Sequence, residues 1–329
     1  MEQRVEQPGL IGDIGGTNAR FALTDLASPT PGILHEQTFG DDRFATLRDA
    51  ALHYLQLVGV RPKRATLAVA APVDGDEIRF VNRAWSFKCS DLQHALALDD
   101  LQLINDFGAV AWAAPHLDSS QRAPMYGEIG ATLQGPVTLI GPGTGLGVGL
   151  LVGPQEHGWR VVETEGGHAT FAASDEEEHA IVRWIAARHS RVYNELLLSG
   201  SGLSRIDAAL RGIPPVALPA PQPELRTPKQ IVDAALHGGD AGAMRALDRF
   251  CEAFGRVAGD TAMLHGARTV MIAGGVVLHF LDYFRQSGFM RRFTERGGYT
   301  FYMQRMSVQV ITHPNPGLLG AAVALHAMK

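Results

Sequence analysis

A glycine turn near the start of the chain most constrains what this sequence can fold into. The stretch LIGDIGGTNARFALTD, residues 10–25, has an apolar entry followed by a run of acid, glycines and polar residues: Asp13, Gly15, Gly16, Thr17 and Asn18. A Walker loop would require a lysine after its last glycine, and a Rossmann fingerprint would require G-x-G-x-x-G leading into a helix. Neither pattern is present. The segment after the turn alternates apolar and polar residues, so the sequence predicts strand, glycine turn and strand.

The composition of this turn suits a phosphate group. Backbone N–H groups in a turn without Cβ atoms can approach an anion closely. The carboxylate of Asp13 would repel a phosphate, so we expect it to act indirectly, through a bound cation such as Mg²⁺. The alternative is an ordinary glycine-rich hairpin with no ligand.

The same pattern returns in the second half of the chain. Residues 137–153, VTLIGPGTGLGVGLLVG, again predict strand, glycine turn and strand, and the turn contains Gly143, Thr144 and Gly145. One such hairpin in each half predicts an internal structural duplication, although the two sequences are too different to be called a repeat. Further on, an apolar strand ends in Gly274 and Gly275 before a helix, which is another ready site for a nucleotide.

Length and composition predict a two-lobed α/β protein that binds small molecules. A chain of 329 residues exceeds what one hydrophobic core usually supports, so we expect two lobes with a cleft between them, and the polar stretch 116–134 is the candidate boundary. The net charge of −5 provides no basic field for nucleic acid. The only cysteines, Cys89 and Cys251, suit a reducing compartment and exclude a cysteine-rich zinc site. With no apolar leader and no run of about 18 apolar residues, we expect a cytoplasmic protein without a membrane span.

A second group of polar residues suits a sugar. Its members are acids, amides and one imidazole at predicted strand ends or in loops: Asn82, Asn105, Asp106, Glu165, His168 and Glu195. Sugar hydroxyls need acceptors as well as donors, and a carboxylate can accept from two hydroxyls. Phosphoryl transfer to a hydroxyl requires positioning, charge neutralisation by Mg²⁺ and a carboxylate that receives the proton. Asp106 is the candidate for that general base, because a strand stops there and a helix begins.

Structural roles are open for some of these residues. Asp106 could be the N-cap of a helix over residues 107–114, His168 could be a satisfied structural histidine, and Glu195 could be a surface acid. Elsewhere, two capping boxes are expected, and the acidic run 176–178 is expected to be a solvated helix start. The proline-rich stretch 213–228 is expected to be an extended surface segment.

Taken together, the motifs GDIGGTNAR, NRAW, INDF, GPGTGLG, EGGH, the acid in NELLLSGSGL, IAGG and NPGLLG resemble the bacterial glucokinases of the hexokinase, Hsp70 and actin superfamily, nearly end to end. The resemblance implies an α/β fold of two RNase H-like (actin-like ATPase) lobes with an interlobe cleft. The small lobe would comprise residues 1–116 plus 313–329, and the large lobe residues 117–312. It further implies ATP-dependent phosphorylation of glucose to glucose 6-phosphate by a homodimer.

The resemblance also implies a role for each candidate residue. Asp106 would be the general base. Asp13 and the turn Gly15, Gly16, Thr17 and Asn18 would serve the phosphates and Mg²⁺, with Gly143, Thr144 and Gly145 as the second phosphate turn. The glucose hydroxyls would be held by Asn105, Glu165, His168 and Glu195 with Asn82 nearby, and Gly274 and Gly275 would face the nucleoside. Two alternatives are a broader hexose kinase acting on mannose or fructose, and a non-catalytic sugar-binding regulator on the same fold.

Overall fold

The structure is a computed structural model that describes residues 5–40, 43–80, 85–127, 133–155, 158–214 and 224–328. Its strands are β1 (Pro8–Ile14), β2 (Asn18–Asp25), β3 (Leu34–Gly40), β4 (Arg64–Val69), β5 (Glu77–Arg79), β6 (Ser86–Lys88), β7 (Asp100–Asn105), β8 (Arg122–Tyr126), β9 (Val137–Pro142), β10 (Leu146–Gln155), β11 (Gly158–Thr164), β12 (Thr269–Ile272) and β13 (Ser307–Ile311). Its helices are α1 (Leu47–Val58), α2 (Cys89–Ala95), α3 (Asp106–Ala113), α4 (Glu176–Ala186), α5 (Asn194–Leu197), α6 (Gly200–Leu210), α7 (Pro228–Leu236), α8 (Ala241–Leu264), α9 (Gly275–Leu278), α10 (Leu281–Gln286), α11 (Phe289–Thr294), α12 (Thr300–Met303) and α13 (Pro316–Ala327).

The chain divides into two compact units. Unit 1 comprises Met1–Asp118, Val161–Glu163 and His313–Lys329, and unit 2 comprises Ser119–Arg160 and Thr164–Thr312. Most of β11 therefore belongs to unit 2, whereas its segment Val161–Glu163 belongs to unit 1. The terminal helix α13 returns to the unit in which the chain begins.

Unit 1 is organised around a five-stranded sheet in the order β3-β2-β1-β4-β7. The first three strands are antiparallel neighbours, and β4 and β7 then add parallel to β1. Helix α1 has Thr46 as its N-cap and Gly59, with a positive φ, as its C-cap, so each end has a capping hydrogen bond. Its buried Tyr54 packs 5.6 Å from the ring of Phe21, ring centre to ring centre.

Unit 2 repeats this arrangement with one additional strand. Its sheet has the order β11-β10-β9-β12-β13-β8. Strands β9 and β10 are antiparallel across the second glycine turn, and β12 and β13 run parallel to β9. The first five strands thus have the same order as those of unit 1, and the predicted duplication is confirmed. Strand β8 lies within the stretch 116–134 that the sequence suggested was only a polar boundary, so that interpretation missed a strand.

Close helix contact positions the start of α3 in unit 1. A Cβ on Gly320 of α13 would overlap the backbone carbonyl of Ala109 in α3. The two helices therefore touch backbone to backbone at this point, and only glycine permits that approach. Buried apolar residues surround the contact, among them Ala68, Ile104 and Ala324. The end of β7 and the first turn of α3 are consequently held by the core of unit 1.

Several local predictions were wrong. Neither expected capping box forms: Ser90 bonds the carboxylate of Asp76, and Ser174 bonds that of Glu178. The N-cap of α4 is Asp175, whose side chain accepts from the N–H of Glu178. The acidic run is solvated only in part: Glu176 is exposed, but Glu178 is only 2% exposed and is paired with Arg256 at 2.8 Å.

Other features follow the sequence more closely. Helix α8 occupies 241–264, one residue short of its predicted end. The proline-rich stretch lies partly outside the described residues. At its end, Thr227 is the N-cap of α7 and forms a capping box with Gln230, and Pro228 is the first residue of the helix. Both cysteines are free. Across the described part of the chain, no helix is long and apolar enough to cross a membrane.

Candidate active site

The first glycine turn lies between β1 and β2, as predicted. The backbone N–H of Gly15 donates to the carbonyl of Asn18 at 2.9 Å and closes the hairpin. Thr17 is exposed at the tip, Gly16 is half-buried beside it, and no helix follows. The turn therefore presents a short, accessible backbone segment at the end of the sheet.

Asp13 lies at the base of this turn, next to a basic residue and a helix start. Its Oδ2 is 3.3 Å from a guanidinium nitrogen of Arg20, which is its cross-strand neighbour in the β1–β2 register. A Cβ on Gly317, in the first turn of α13, would come within 2.9 Å of Cγ of Asp13. Glycine at that position lets the start of the helix approach the carboxylate. Asp13 retains 20% of its side-chain exposure.

The electrostatic setting of Asp13 favours a cation. Burial raises the pKa of this carboxyl above its usual range, the charge and hydrogen bond of Arg20 oppose that rise, and the charge of Glu36 adds to it. Arg20 therefore compensates only part of the cost of the buried charge, and a further cation would stabilise the ionised form. Mg²⁺ commonly uses one or two carboxylates and keeps several waters, so the donor set fits indirect binding of Mg²⁺. Among the residues described, there is no group of three or more His, Cys, Asp or Glu that could hold a metal by itself.

Asn105 and Asp106 lie at the junction of β7 and α3. Helix α3 begins at Asp106 rather than Phe107, and its N-cap is Asn105, whose Oδ1 accepts from the N–H groups of Phe107 at 2.9 Å and Gly108 at 3.2 Å. The alternative that Asp106 is the cap is therefore wrong. Asp106 occupies the first helical position, where its Oδ1 also accepts from the N–H of Phe107 at 2.8 Å. Its carboxylate is thus held at the positive end of a helix by a backbone donor.

Sequence reasoning missed Glu163 beside this junction. Its Oε1 accepts a hydrogen bond from the backbone N–H of Asn105 at 2.9 Å. A Cβ on Gly108 would lie 2.5 Å from the same oxygen, so glycine in the first turn of α3 makes room for the carboxylate. The available signal was the alternation of acids in the sequence VVETEGG, where Glu163 precedes Glu165 by two residues.

In unit 2, a histidine lies between two carboxylates. Nδ1 of His168 is 3.9 Å from Glu165 and its Nε2 is 3.8 Å from Glu195. His168 ends the short 3-10 turn Gly166–His168. A Cβ on Gly167 would overlap the carbonyl of Leu146, so this turn can press onto the start of β10 only because it contains glycine. The structure thereby brings together three of the residues predicted from the sequence.

Glu195 connects this cluster to the second glycine turn. It lies in the short helix α5, and its Oε2 accepts from the N–H of Leu146 at 2.9 Å. A Cβ on Gly145 would overlap the same oxygen. The carboxylate therefore contacts the last residue of the turn with one oxygen and faces His168 with the other. A surface acid without partners, the alternative considered for Glu195, does not describe it.

The second and third glycine segments are packed against each other. A Cβ on Gly141 would overlap the backbone carbonyl of Ala273. A Cβ on Gly274, whose φ is +90°, would overlap the backbone carbonyl of Pro142. Gly143 and Gly275 differ from these two, since their Cβ would meet no atom within 4 Å among the described residues apart from the adjoining chain. Thr144 is exposed at the tip of the turn. The pair of turns thus combines a closely packed base with two positions, Gly143 and Gly275, at which a side chain would enter open space.

One predicted residue cannot be placed: Asn82 lies outside the described residues. The others fall into two sets, one in each unit. Unit 1 contains the Asp13 turn and the Asn105–Asp106 junction. Unit 2 contains the cluster of Glu165, His168 and Glu195 together with the glycine segments 143–145 and 274–275.

Comparisons with known proteins bear on this arrangement. The glucokinase family model matches residues 10–328. The glucokinase of Chromobacterium violaceum is 41% identical over 321 residues, covering 97% of this chain and 89% of that protein. The crystal structure of a glucokinase from an Antarctic psychrotroph aligns over 97% of this chain and 99% of its own, with a TM-score of 0.79 and 33% identity. A glucokinase of the ROK family from Streptomyces griseus, solved with glucose and AMPPNP, covers 97% of this chain and 99% of its own, with a TM-score of 0.64; at 21% identity it supports the fold alone.

The fold is therefore the two-lobed α/β architecture of the actin-like ATPases, as predicted. Because the family model spans nearly the whole chain and the Chromobacterium violaceum relative matches it over 89% of its own length, the chain belongs to the glucokinase family of enzymes.

Proposed function

We propose that this chain transfers the γ-phosphoryl group of ATP to the 6-hydroxyl of D-glucose and forms glucose 6-phosphate. The observation that carries the proposal is the position of Glu195, which contacts the glycine turn through Leu146 and faces His168 with its other oxygen. Hydroxyl acceptors lie there beside a glycine turn whose tip, Thr144, is exposed. A kinase acting on a sugar needs that combination, because most of its catalysis is positioning.

Asp106 is proposed as the general base. The proton of the 6-hydroxyl passes to its carboxylate while the hydroxyl oxygen bonds to the γ-phosphorus, and the bond from that phosphorus to the bridging oxygen of ATP breaks to leave ADP. The N-terminal end of α3 and the N–H of Phe107 place partial positive charge beside this carboxylate. Capping by Oδ1 of Asn105 leaves its amide N–H groups to donate to a hydroxyl.

The remaining sugar contacts are assigned to Glu165, His168 and Glu195, together with Asn82. Carboxylates accept from hydroxyls and an imidazole N–H donates to one, so this set matches both functions of a sugar hydroxyl. The 41% exposure of His168 and 57% exposure of Glu165 leave both side chains accessible to a ligand.

ATP is proposed to bind at the glycine turns. Gly15, Gly16, Thr17 and Asn18 would face one part of the phosphate chain, Gly143, Thr144 and Gly145 another, and Gly274 and Gly275 the nucleoside. Asp13 would hold Mg²⁺ indirectly. When bound, the ion would neutralise charge on the phosphates.

We also propose the setting in which the enzyme works. Residues 1–116 with 313–329 would act as the small lobe and residues 117–312 as the large lobe. The free cysteines agree with a reducing compartment, and we expect a cytoplasmic homodimer. Light scattering of the purified protein measures the mass of the assembly directly.

A transfer assay tests the proposed function. The purified chain is supplied with ATP and Mg²⁺ and with glucose, mannose, fructose or N-acetylglucosamine in separate reactions, and ADP formation is followed. We expect kcat/KM to be highest for glucose. Comparable values for mannose or fructose would identify a broader hexose kinase, and glucose binding without ADP formation would identify a sugar-binding protein.

A further inference from the structure

The imidazole of His168 is not held by the two carboxylates that face it. Its ring nitrogens are 3.9 Å from Glu165 and 3.8 Å from Glu195, which is beyond hydrogen-bonding distance. Among the described residues, no hydrogen bond to either ring nitrogen is formed. The side chain is 41% exposed at the end of a 3-10 turn, so these interactions alone do not define its orientation.

A different side chain packs directly on this ring. The aromatic ring of Tyr193 lies 4.8 Å from the imidazole, centre to centre, at an interplanar angle of 66°. This is the edge-to-face arrangement that aromatic pairs favour. Tyr193 is half-buried and packs against the core of unit 2, so it offers the histidine a rigid surface.

Arg191 reinforces the contact from the solvent side. Its guanidinium donates a hydrogen bond to the backbone carbonyl of His168 and also lies 5.7 Å from the ring centre of Tyr193. One exposed arginine therefore restrains both members of the aromatic pair. A guanidinium is suited to this double task because its planar face packs on rings while its N–H groups donate at the edge.

The backbone fixes the two segments in register. Thr170 and Tyr193 form an antiparallel bridge. On either side of it, the N–H of Asn194 donates to Ala169 at 2.9 Å and the N–H of Phe171 donates to Val192 at 3.1 Å. The segment that supplies Glu195 is thus the same segment that supports the histidine.

We propose that Tyr193, assisted by Arg191, is a positioning residue that sets the orientation of the His168 imidazole between Glu165 and Glu195 and thereby sets the affinity for the sugar. The proposal rests on the proposed function, in which His168 binds a sugar hydroxyl. Tyr193 acts through the histidine, so its contribution concerns the sugar and not the nucleotide or the chemical step.

Four variants test this role. Y193L keeps an apolar side chain against the core but removes the ring, Y193F keeps the ring and removes only the hydroxyl, and R191Q removes the guanidinium. R183Q, at an exposed arginine of α4, is the matched control. Initial rates are measured over ranges of glucose and of ATP, and glucose binding without ATP is measured by calorimetry.

We expect Y193L to raise the KM and Kd for glucose about 3- to 10-fold, with kcat and the KM for ATP nearly unchanged, as the loss of one aromatic contact predicts. R191Q should raise them less, while Y193F and R183Q should behave as the wild type. Equal KM for glucose in Y193L and wild type would overturn the proposal. So would a Y193F defect as large as that of Y193L, or a Y193L defect that affects ATP and glucose alike.

A second readout does not depend on phosphoryl transfer. The ring signals of His168 are identified in NMR spectra of the ¹⁵N-histidine-labelled protein by their loss in H168Q. They should shift in Y193L and stay in place in Y193F and R183Q; unchanged signals in Y193L would overturn the positioning role. If the wild type neither binds nor phosphorylates glucose, the proposed function fails, while this comparison still shows whether the ring of Tyr193 contacts the histidine as the positioning role requires.

Discussion

One oxygen of the Glu195 carboxylate accepts a hydrogen bond from the backbone N–H of Leu146 at 2.9 Å, so a side chain predicted to bind sugar also holds the residue that follows the second glycine turn. The other oxygen is 3.8 Å from Nε2 of His168. The same carboxylate thus contacts the segment expected to bind phosphate and the segment expected to bind hydroxyls. A substitution that removes both contacts should therefore affect both substrates.

Two substitutions at Glu195 separate these contacts. In E195Q the amide oxygen can still accept from Leu146, but the negative charge is lost. We expect the KM for glucose to rise about 10- to 100-fold, as for loss of a charged hydrogen bond, with the KM for ATP near that of the wild type. E195A should raise both KM values, because the turn loses its anchor. Initial-rate kinetics with each substrate varied measures this. A wild-type KM for glucose in E195Q would remove Glu195 from the sugar site.

The general-base assignment predicts a loss confined to turnover. In D106N the amide oxygen can still accept from the N–H of Phe107, so the first turn of α3 should be kept. We expect kcat to fall about 100- to 10,000-fold, the usual contribution of a general base, while calorimetry shows glucose binding near that of the wild type. D91N, at an exposed acid of α2, is the control. Turnover near that of the wild type would contradict the assignment.

The backbone pattern of the fold could be predicted from the sequence, and the reason is local. Both glycine turns are flanked by apolar segments and neither is followed by a helix start, so β1–β2 and β9–β10 follow from residues 10–25 and 137–153 alone. Helix ends were less predictable because caps compete for partners. Ser90 and Ser174 had the spacing of capping boxes, but the carboxylates of Asp76 and Glu178 bond them instead.

Side-chain partners distant in sequence could not be predicted in this way. The acidic run of α4 was expected to be solvated, yet two arginines of α8 pair with it: Arg249 with Glu177 at 2.7 Å and Arg256 with Glu178 at 2.8 Å. Likewise, the local pattern did not identify the partners of two side chains: Glu163 bonds the N–H of Asn105, and Tyr193 packs on His168. These contacts depend on how the sheets bring segments together.

The second glycine turn offers a matched pair of alanine substitutions. The Cβ added in G143A enters open space, whereas the Cβ added in G145A overlaps the carboxylate of Glu195. If backbone N–H groups of this turn bind phosphate, G143A should fold normally and raise the KM for ATP about tenfold, leaving that for glucose unchanged. G145A should raise both KM values. Thermal denaturation checks the folding of each variant. An unchanged KM for ATP in G143A would argue against a phosphate at this position.

Asp13 should favour activity at the expense of stability. Burial raises the pKa of Asp13 in the folded state. Its ionised form therefore lowers the free energy of unfolding at pH values above the folded-state pKa, and this destabilisation disappears at pH values below the unfolded-state pKa of about 3.8. D13N should therefore be at least as stable as the wild type at pH 7, with the difference narrowing as the pH falls. Its activity should drop about 100-fold or more. Urea denaturation at several pH values, with kinetics at several Mg²⁺ concentrations, tests both effects. A D13N protein that is less stable at pH 7 would contradict the sign.

At Asp175 we expect the ionised carboxylate to raise the free energy of unfolding, the opposite of its effect at Asp13. Burial opposes its ionisation, but the N–H of Glu178 and the guanidinium of Arg249, with help from Arg292, outweigh burial and hold the pKa of this carboxyl below its usual range. The ionised carboxylate of Asp175 therefore stabilises the folded state at pH values above its unfolded-state pKa of about 3.8. This stabilisation is lost as the pH falls through the lower folded-state pKa. D175N keeps an oxygen that can cap α4, so only the charge is removed. We expect a loss of about 1 kcal/mol at pH 7, since the pair is partly exposed, and none below the lowered pKa. Urea denaturation of both proteins across this pH range measures the difference. A loss of equal size at every pH would show that the cap, and not the charge, stabilises the helix.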